Sequence, residues 1–232
     1  MKILCVILSL PEQLKFDTIK SVLAQSVPVE MIVLLTKKSK KPLLIERIPD
    51  ALNEGFGHIN LSHFDYILRL DGDTILGRDF LKNNLVGEPD CLGCGYAFLI
   101  KVQPFLELMN GKFHPLCDDT YLGTKFLQYG KESEGGFKEW PLYSGPHESL
   151  DVKYLIDRGK LEYMLGWTPF HIAESVMWNH GTNWKSVFAV GGYVIAWLRR
   201  TEKLDIADFV RSYQVRREVT HVSQFFRKVA KT

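Results

Sequence analysis

Two carboxylates separated by one residue, Asp71 and Asp73, follow directly on an apolar run in the stretch FDYILRLDGDTILG, Phe64 to Gly77. Side by side they repel, and unless a cation neutralises them one must take up a proton. Hard oxygen ligands at a strand end suit Mg²⁺ or Mn²⁺, which keep positions open for substrate phosphates. Asp71 and Asp73 are therefore candidate ligands of a metal that would hold a diphosphate. A solvated Asp-Gly turn is the competing reading. A second acidic pair, Asp118 and Asp119, opens the stretch CDDTYLGTKFLQYG, where an acidic start suits the positive end of a helix dipole.

Elements that could position these groups alternate along the first half of the chain. The spacing predicts a strand over about 2–9, a helix with Ile19, Val22 and Leu23 on one face, and a second strand in MIVLLT from Met31. A third apolar run, PLLIERI, precedes an expected helix near 50–63, and the strand entering Asp71 follows. This is the rhythm of a parallel α/β sheet, in which ligands bind beyond the carboxyl ends of the strands. Further on, GRDFLKNNL reads as a helix, CGYAFLI as a strand and DDTYLGTKFLQYG as a helix, while the Gly- and Pro-rich stretch 131–150 reads as a loop or irregular hairpin.

With 232 residues, 46% of them hydrophobic, the chain can bury one sizeable core and falls short of two independent ones. We expect one catalytic domain over 1–200 and a basic amphipathic helical tail over 201–232. From Arg199 onward nine basic residues stand against four acidic ones, although the whole chain carries only +2. So small a charge gives no support for nucleic acid as a partner, but the tail and the aromatic Trp178, Trp184, Tyr193 and Trp197 could meet an anionic membrane surface, with packing on the domain as the equal alternative. In the tail, Ile206, Phe209, Val210 and Tyr213, then Val222, Phe225, Phe226 and Val229, recur at helical spacing. The apolar run 186–200 is too short to cross a bilayer but could lie on one. Four scattered cysteines, with Cys91 and Cys94 read as core residues, fit a reducing compartment, so the expected location is cytoplasmic, with a peripheral position at a membrane as the alternative. The N-terminal run MKILCVILSLPEQ reads as a buried strand and not as a signal peptide.

The stretch around Asp71 and Asp73 resembles the D-x-D region of glycosyltransferase family 2, which has the GT-A fold. KSVLAQSVPVEMIVLL resembles that family's first helix and second strand, and NEGFGHINLSHFDYILRLDGD its Asn-x-Gly segment and acidic strand end. CDDTYLGTKFLQYG is similar to its Glu-Asp motif, and WNHGTNW to its late His. The resemblance implies a Rossmann-like three-layer α/β/α fold with a mixed, mainly parallel sheet and a helical C-terminal extension. It implies a metal-dependent, inverting glycosyltransferase of the hexosyltransferase type, with Mn²⁺ or Mg²⁺ and a nucleotide-diphosphate sugar donor. The acceptor would be a sugar, a lipid-linked molecule or a protein. Carried onto this chain, Asp71, Asp73, Asn53 and Arg69 bind the donor, and Asp71 and Asp73 with His180 or His147 hold the metal. Asp119, or else Asp118, is the base that deprotonates the acceptor. The family's base-contacting Asp at the end of the second strand is replaced by Thr36 and lysines; Lys37, Lys38, Lys40 and Lys41 read as a solvated turn, with phosphate contact as the alternative.

Rival readings fit less well. A haloacid-dehalogenase-like phosphatase needs Thr or Val where Ile75 stands, and an EF-hand loop needs oxygen ligands where Ile75 and Lys82 stand. A sugar nucleotidyltransferase would carry a Gly-rich loop after the first strand. A non-catalytic sugar- or membrane-binding module with a decayed site stays an open alternative, which measurable donor hydrolysis would argue against.

Overall fold

The computed structural model describes residues 1–143, 145, 151–180 and 184–216, with the backbone alone for Leu44, Cys94, Ser175 and 177–180. The chain forms two compact units, Met1–Glu148 and Ser149–Thr232.

The first unit is built on a six-stranded sheet in the order β2-β1-β3-β5-β4-β6. Its strands are β1 Ile3–Leu8, β2 Met31–Leu35, β3 Tyr66–Asp71, β4 Cys91–Cys94, β5 Ala97–Lys101 and β6 Ser133–Glu134. β1 runs parallel to β2 and β3, β5 is antiparallel to β3 and β4, and β6 is parallel to β4. Side-chain alternation sorts each strand between two layers. Ile3, Cys5 and Ile7 of β1 pack with Val22 of α1 (Phe16–Leu23) and with Phe80 and Leu81 of α3 (Phe80–Asn84). Leu4 and Val6 pack on the opposite face with Leu52 and Phe56 of α2 (Leu44–Phe56), Phe105 of α4 (Val102–Met109) and Phe126 of α5 (Asp119–Gln128). The result is the expected mixed, mainly parallel α/β/α sandwich.

Local differences have physical causes. The run PLLIERI enters α2 directly, because Ile48, Leu52 and Phe56 recur every fourth residue and form one helical stripe on the sheet. That helix ends at Phe56, and Leu61–His63 is a single 3₁₀ turn. CGYAFLI divides into β4 and β5, joined at Gly95, whose φ of +64° suits a tight turn without a side chain. Leu23, expected on the inner face of α1, is exposed. Cys91 is a buried core residue.

The second unit holds α6 (Val152–Met164), α7 (Pro169–His180), α8 (Val187–Leu198) and a helix over 207–216. Glycine lets α6 and α8 approach closely. A Cβ at Gly159 would lie 1.8 Å from the Ala189 carbonyl oxygen, and one at Gly192 would lie 2.0 Å from that of Ile156. Asp151 caps α6 by accepting from the Lys153 amide at 3.1 Å. The expected tail helix is present over 207–216, with Ile206 and Val210 buried, and Gln214 Oε1 accepts from the Thr168 amide at 2.9 Å. Val222, Phe225, Phe226 and Val229 lie outside the described residues.

Candidate active site at the carboxyl end of the sheet

The chain passes from β1 to β2 on one side of the sheet and returns to β3 on the other, so β1 and β3 form a topological switch point. Ligands of open α/β sheets bind beyond the carboxyl ends of such strands. A cleft of about 770 Å³ opens there, lined by Ser9 after β1, Lys37 and Lys38 after β2, Asp71 and Asp73 at the end of β3, and Lys15 and Arg47 from the helical layers. Its lining carries both signs of charge, Glu12, Asp71 and Asp73 with Lys15, Lys37, Lys38 and Arg47.

The acidic turn is fixed by backbone. Lys15 N–H donates to the Gly72 carbonyl at 2.9 Å, the Thr18 hydroxyl donates to the same oxygen at 2.9 Å, and Gly72 N–H donates to Leu8 at 2.8 Å. The stretch expected to be a loop or irregular hairpin folds back onto this turn. Ile75 and Tyr143 form an isolated antiparallel bridge, and a Cβ at Gly145 would fall 1.6 Å from Asp73 Oδ2. A side chain at 145 would require the Asp73 carboxylate to move. Lys15 Nζ sits 4.4 Å from the Tyr143 ring centroid.

Arg69 ties the two acidic pairs together. It occupies β3 between Val6 and Phe98 in the register, and its side chain is 2% exposed. Its Nη2 lies 3.1 Å from Asp71 Oδ1 and 3.7 Å from Asp118 Oδ2. A guanidinium in an apolar layer is costly without partners, and these carboxylates supply them. Burial pushes the Asp118 carboxyl above its ordinary value, outweighing the opposing pull of Arg69, and Asp119 and Asp71 push it the same way. Its neighbour Asp119 is committed elsewhere. Asp119 Oδ2 accepts from the Gly95 amide at 2.7 Å, and Oδ1 accepts from the Thr120 amide and hydroxyl at 2.5 and 3.2 Å. Asp119 thus pins the β4–β5 turn to the start of α5, while Asp118 faces Arg69.

Asn53 makes a two-way bond to one backbone position: its Nδ2 donates to the Phe113 carbonyl at 2.9 Å and its Oδ1 accepts from the Phe113 amide at 2.7 Å. His147 lies outside the described residues, as does the side chain of His180, the last residue of α7. Spacing could not show that Lys15, Arg47 and Tyr143 belong to this neighbourhood, because each reaches it from a distant segment. Among the described residues no group of three His, Cys, Asp or Glu side chains is arranged to hold a metal. The donor set is two hard carboxylates beside an open cleft, which fits Mg²⁺ or Mn²⁺ completed by phosphate oxygens and water.

No family model matches the chain, and no curated protein matches it. Among solved structures it is similar to the mannosyltransferase PcManGT from Pyrobaculum calidifontis in complex with GDP-Man and Mn²⁺, with a TM-score of 0.52 and 14% identity over 92% of this chain and 79% of that one. The likeness shows that the two chains share one Rossmann-like α/β fold.

Proposed function

We propose that the chain is a metal-dependent glycosyltransferase of the hexosyl type, moving a sugar from a nucleotide-diphosphate donor to an acceptor hydroxyl with inversion. The observation that carries this reading is the Asp71–Arg69–Asp118 linkage at the switch point, beside a cleft lined by groups of both charges. Asp71 and Asp73 hold the metal, and Lys15, Lys37, Lys38 and Arg47 face the anionic donor. Bound there, Mn²⁺ or Mg²⁺ would neutralise charge on the departing nucleoside diphosphate.

Asp118 takes the base role in this reading. A carboxylate whose pKa is raised by burial accepts a proton more readily near neutral pH, and Arg69 holds it in place. Asp119 secures the local backbone, and Arg69 is a positioning residue because it is buried. Asn53 scaffolds the Phe113 backbone instead of touching the donor. The bound GDP-mannose of the similar mannosyltransferase makes GDP-sugars the first donors to examine.

A melting-temperature screen of UDP-, GDP- and TDP-sugars, each with and without Mn²⁺ or Mg²⁺, tests the reading, since a ligand of the native state raises its stability. One nucleotide class is expected to raise the melting temperature only with metal present. No shift with any donor and metal would overturn it.

A further inference from the structure

α8 reads VFAVGGYVIAWL and carries no charged side chain on any face. One side has a natural use: Ala189, Gly192 and Ala196 are buried, and the Gly159 and Gly192 contacts let α6 pack tightly there. The opposite side is equally apolar and open to solvent. Val187, Val194, Ile195 and Leu198 recur along it and are 49%, 40%, 37% and 68% exposed. Trp184, one turn before the helix, is 62% exposed, and Trp197, near its end, is 59% exposed. A helix that is apolar all round belongs in a core or in lipid, and this one has a core on one side only.

Length and flanking residues decide between spanning a bilayer and lying on one. Twelve residues rise about 18 Å, against a hydrocarbon core of about 30 Å. Among the described residues no helix is long and apolar enough to cross a membrane. Tryptophans flank the exposed face at each end, where indole rings settle at headgroup depth. Arg199 and Arg200 follow at once and are exposed, so cations stand where lipid phosphates would be. In the tail helix expected to serve as an anchor, Ile206 and Val210 are buried while Tyr213 is exposed, so over 207–216 only part of that apolar face is open.

We propose that the outward face of α8, with Trp184, Trp197, Arg199 and Arg200, docks on an anionic lipid bilayer, the apolar side chains entering the headgroup boundary and the arginines meeting lipid phosphate. The docking does not depend on sugar transfer and is read without any donor.

Flotation of the full chain with vesicles of phosphatidylcholine and phosphatidylglycerol at low salt tests it. The wild type is expected to float, with its tryptophan emission shifted to the blue and quenched by brominated lipid. V194E/L198E is expected to lose at least about tenfold in partitioning with its melting temperature unchanged, because both positions are solvent-facing. R199A/R200A is expected to lose roughly tenfold at low salt and much less at high salt. Failure of the wild type to float would overturn the proposal, and so would undiminished flotation of V194E/L198E, which would move the lipid contact elsewhere. A wild-type dimer that V194E/L198E converts to monomer, without vesicle binding, would make the face a contact between copies of the chain and equally overturn it.

Discussion

The carboxyl end of β3 and the outer face of α8 break the same rule in opposite directions. Arg69 and Asp118 are charges placed inside an apolar layer, whereas Val187, Val194 and Leu198 are apolar side chains left in water. Soluble folds normally do neither, because burying a charge and exposing an apolar stripe both cost stability. The buried charges are held by one another, while the exposed stripe has no compensation within its own helix pair. Among the described residues the first region is a self-contained polar linkage, and the second is the face proposed above to meet lipid.

The largest effect should come from removing a proposed metal ligand. Asp71→Ala and Asp73→Ala are expected to lower metal-dependent affinity for the nucleotide-sugar by a hundredfold or more, on the order of 3 kcal/mol, with folding retained in the Asp73 variant. Titration calorimetry reads it. Next is Arg69→Met, which leaves Asp71 and Asp118 facing each other without their shared cation. It should cost about 3–5 kcal/mol near neutral pH, and part of the loss should return on acidification as the carboxylates protonate, read by denaturant melts across pH.

Asn53→Ala sharpens the contrast by removing a polar group assigned above to holding the Phe113 backbone. Loss of two bonds to the Phe113 backbone should cost about 1–3 kcal/mol and leave donor affinity unchanged. Asp118→Asn is the smallest in stability and opposite in sign. The folded state disfavours the charged form of Asp118, so above its folded pKa the carboxylate costs stability. The variant should melt at or above the wild type near pH 7, and the gap should close as pH falls toward the ordinary carboxylate range.

What could be read from the sequence follows from which interactions are local. β1, β2, β3 and the placement of Asp71 at a strand end were legible because each is an apolar run ended by polar residues. PLLIERI was ambiguous, since a short apolar run suits a strand or the start of a buried helix, and its packing partners Leu52 and Phe56 lie downstream. The division of labour between Asp118 and Asp119 was not legible. It depends on Arg69 reaching one carboxylate and the Gly95 amide reaching the other, both from segments more than twenty residues away. The exposed side of α8 was hidden for a similar reason: an all-apolar helix gives no periodic signal, and only the position of α6 shows which face is left over.

The central claim is that the acidic end of β3 and Asp118 form one catalytic device, and metal-dependent donor hydrolysis tests it most directly because water replaces the unidentified acceptor. Asp118→Asn and Asp119→Asn would be compared with the wild type, using the donor identified by the melting screen at saturating metal. The account predicts that Asp118→Asn keeps donor affinity and loses turnover by about a hundredfold or more, while Asp119→Asn loses much less turnover and some stability. Greater loss of turnover in Asp119→Asn, or full turnover in Asp118→Asn, would contradict it.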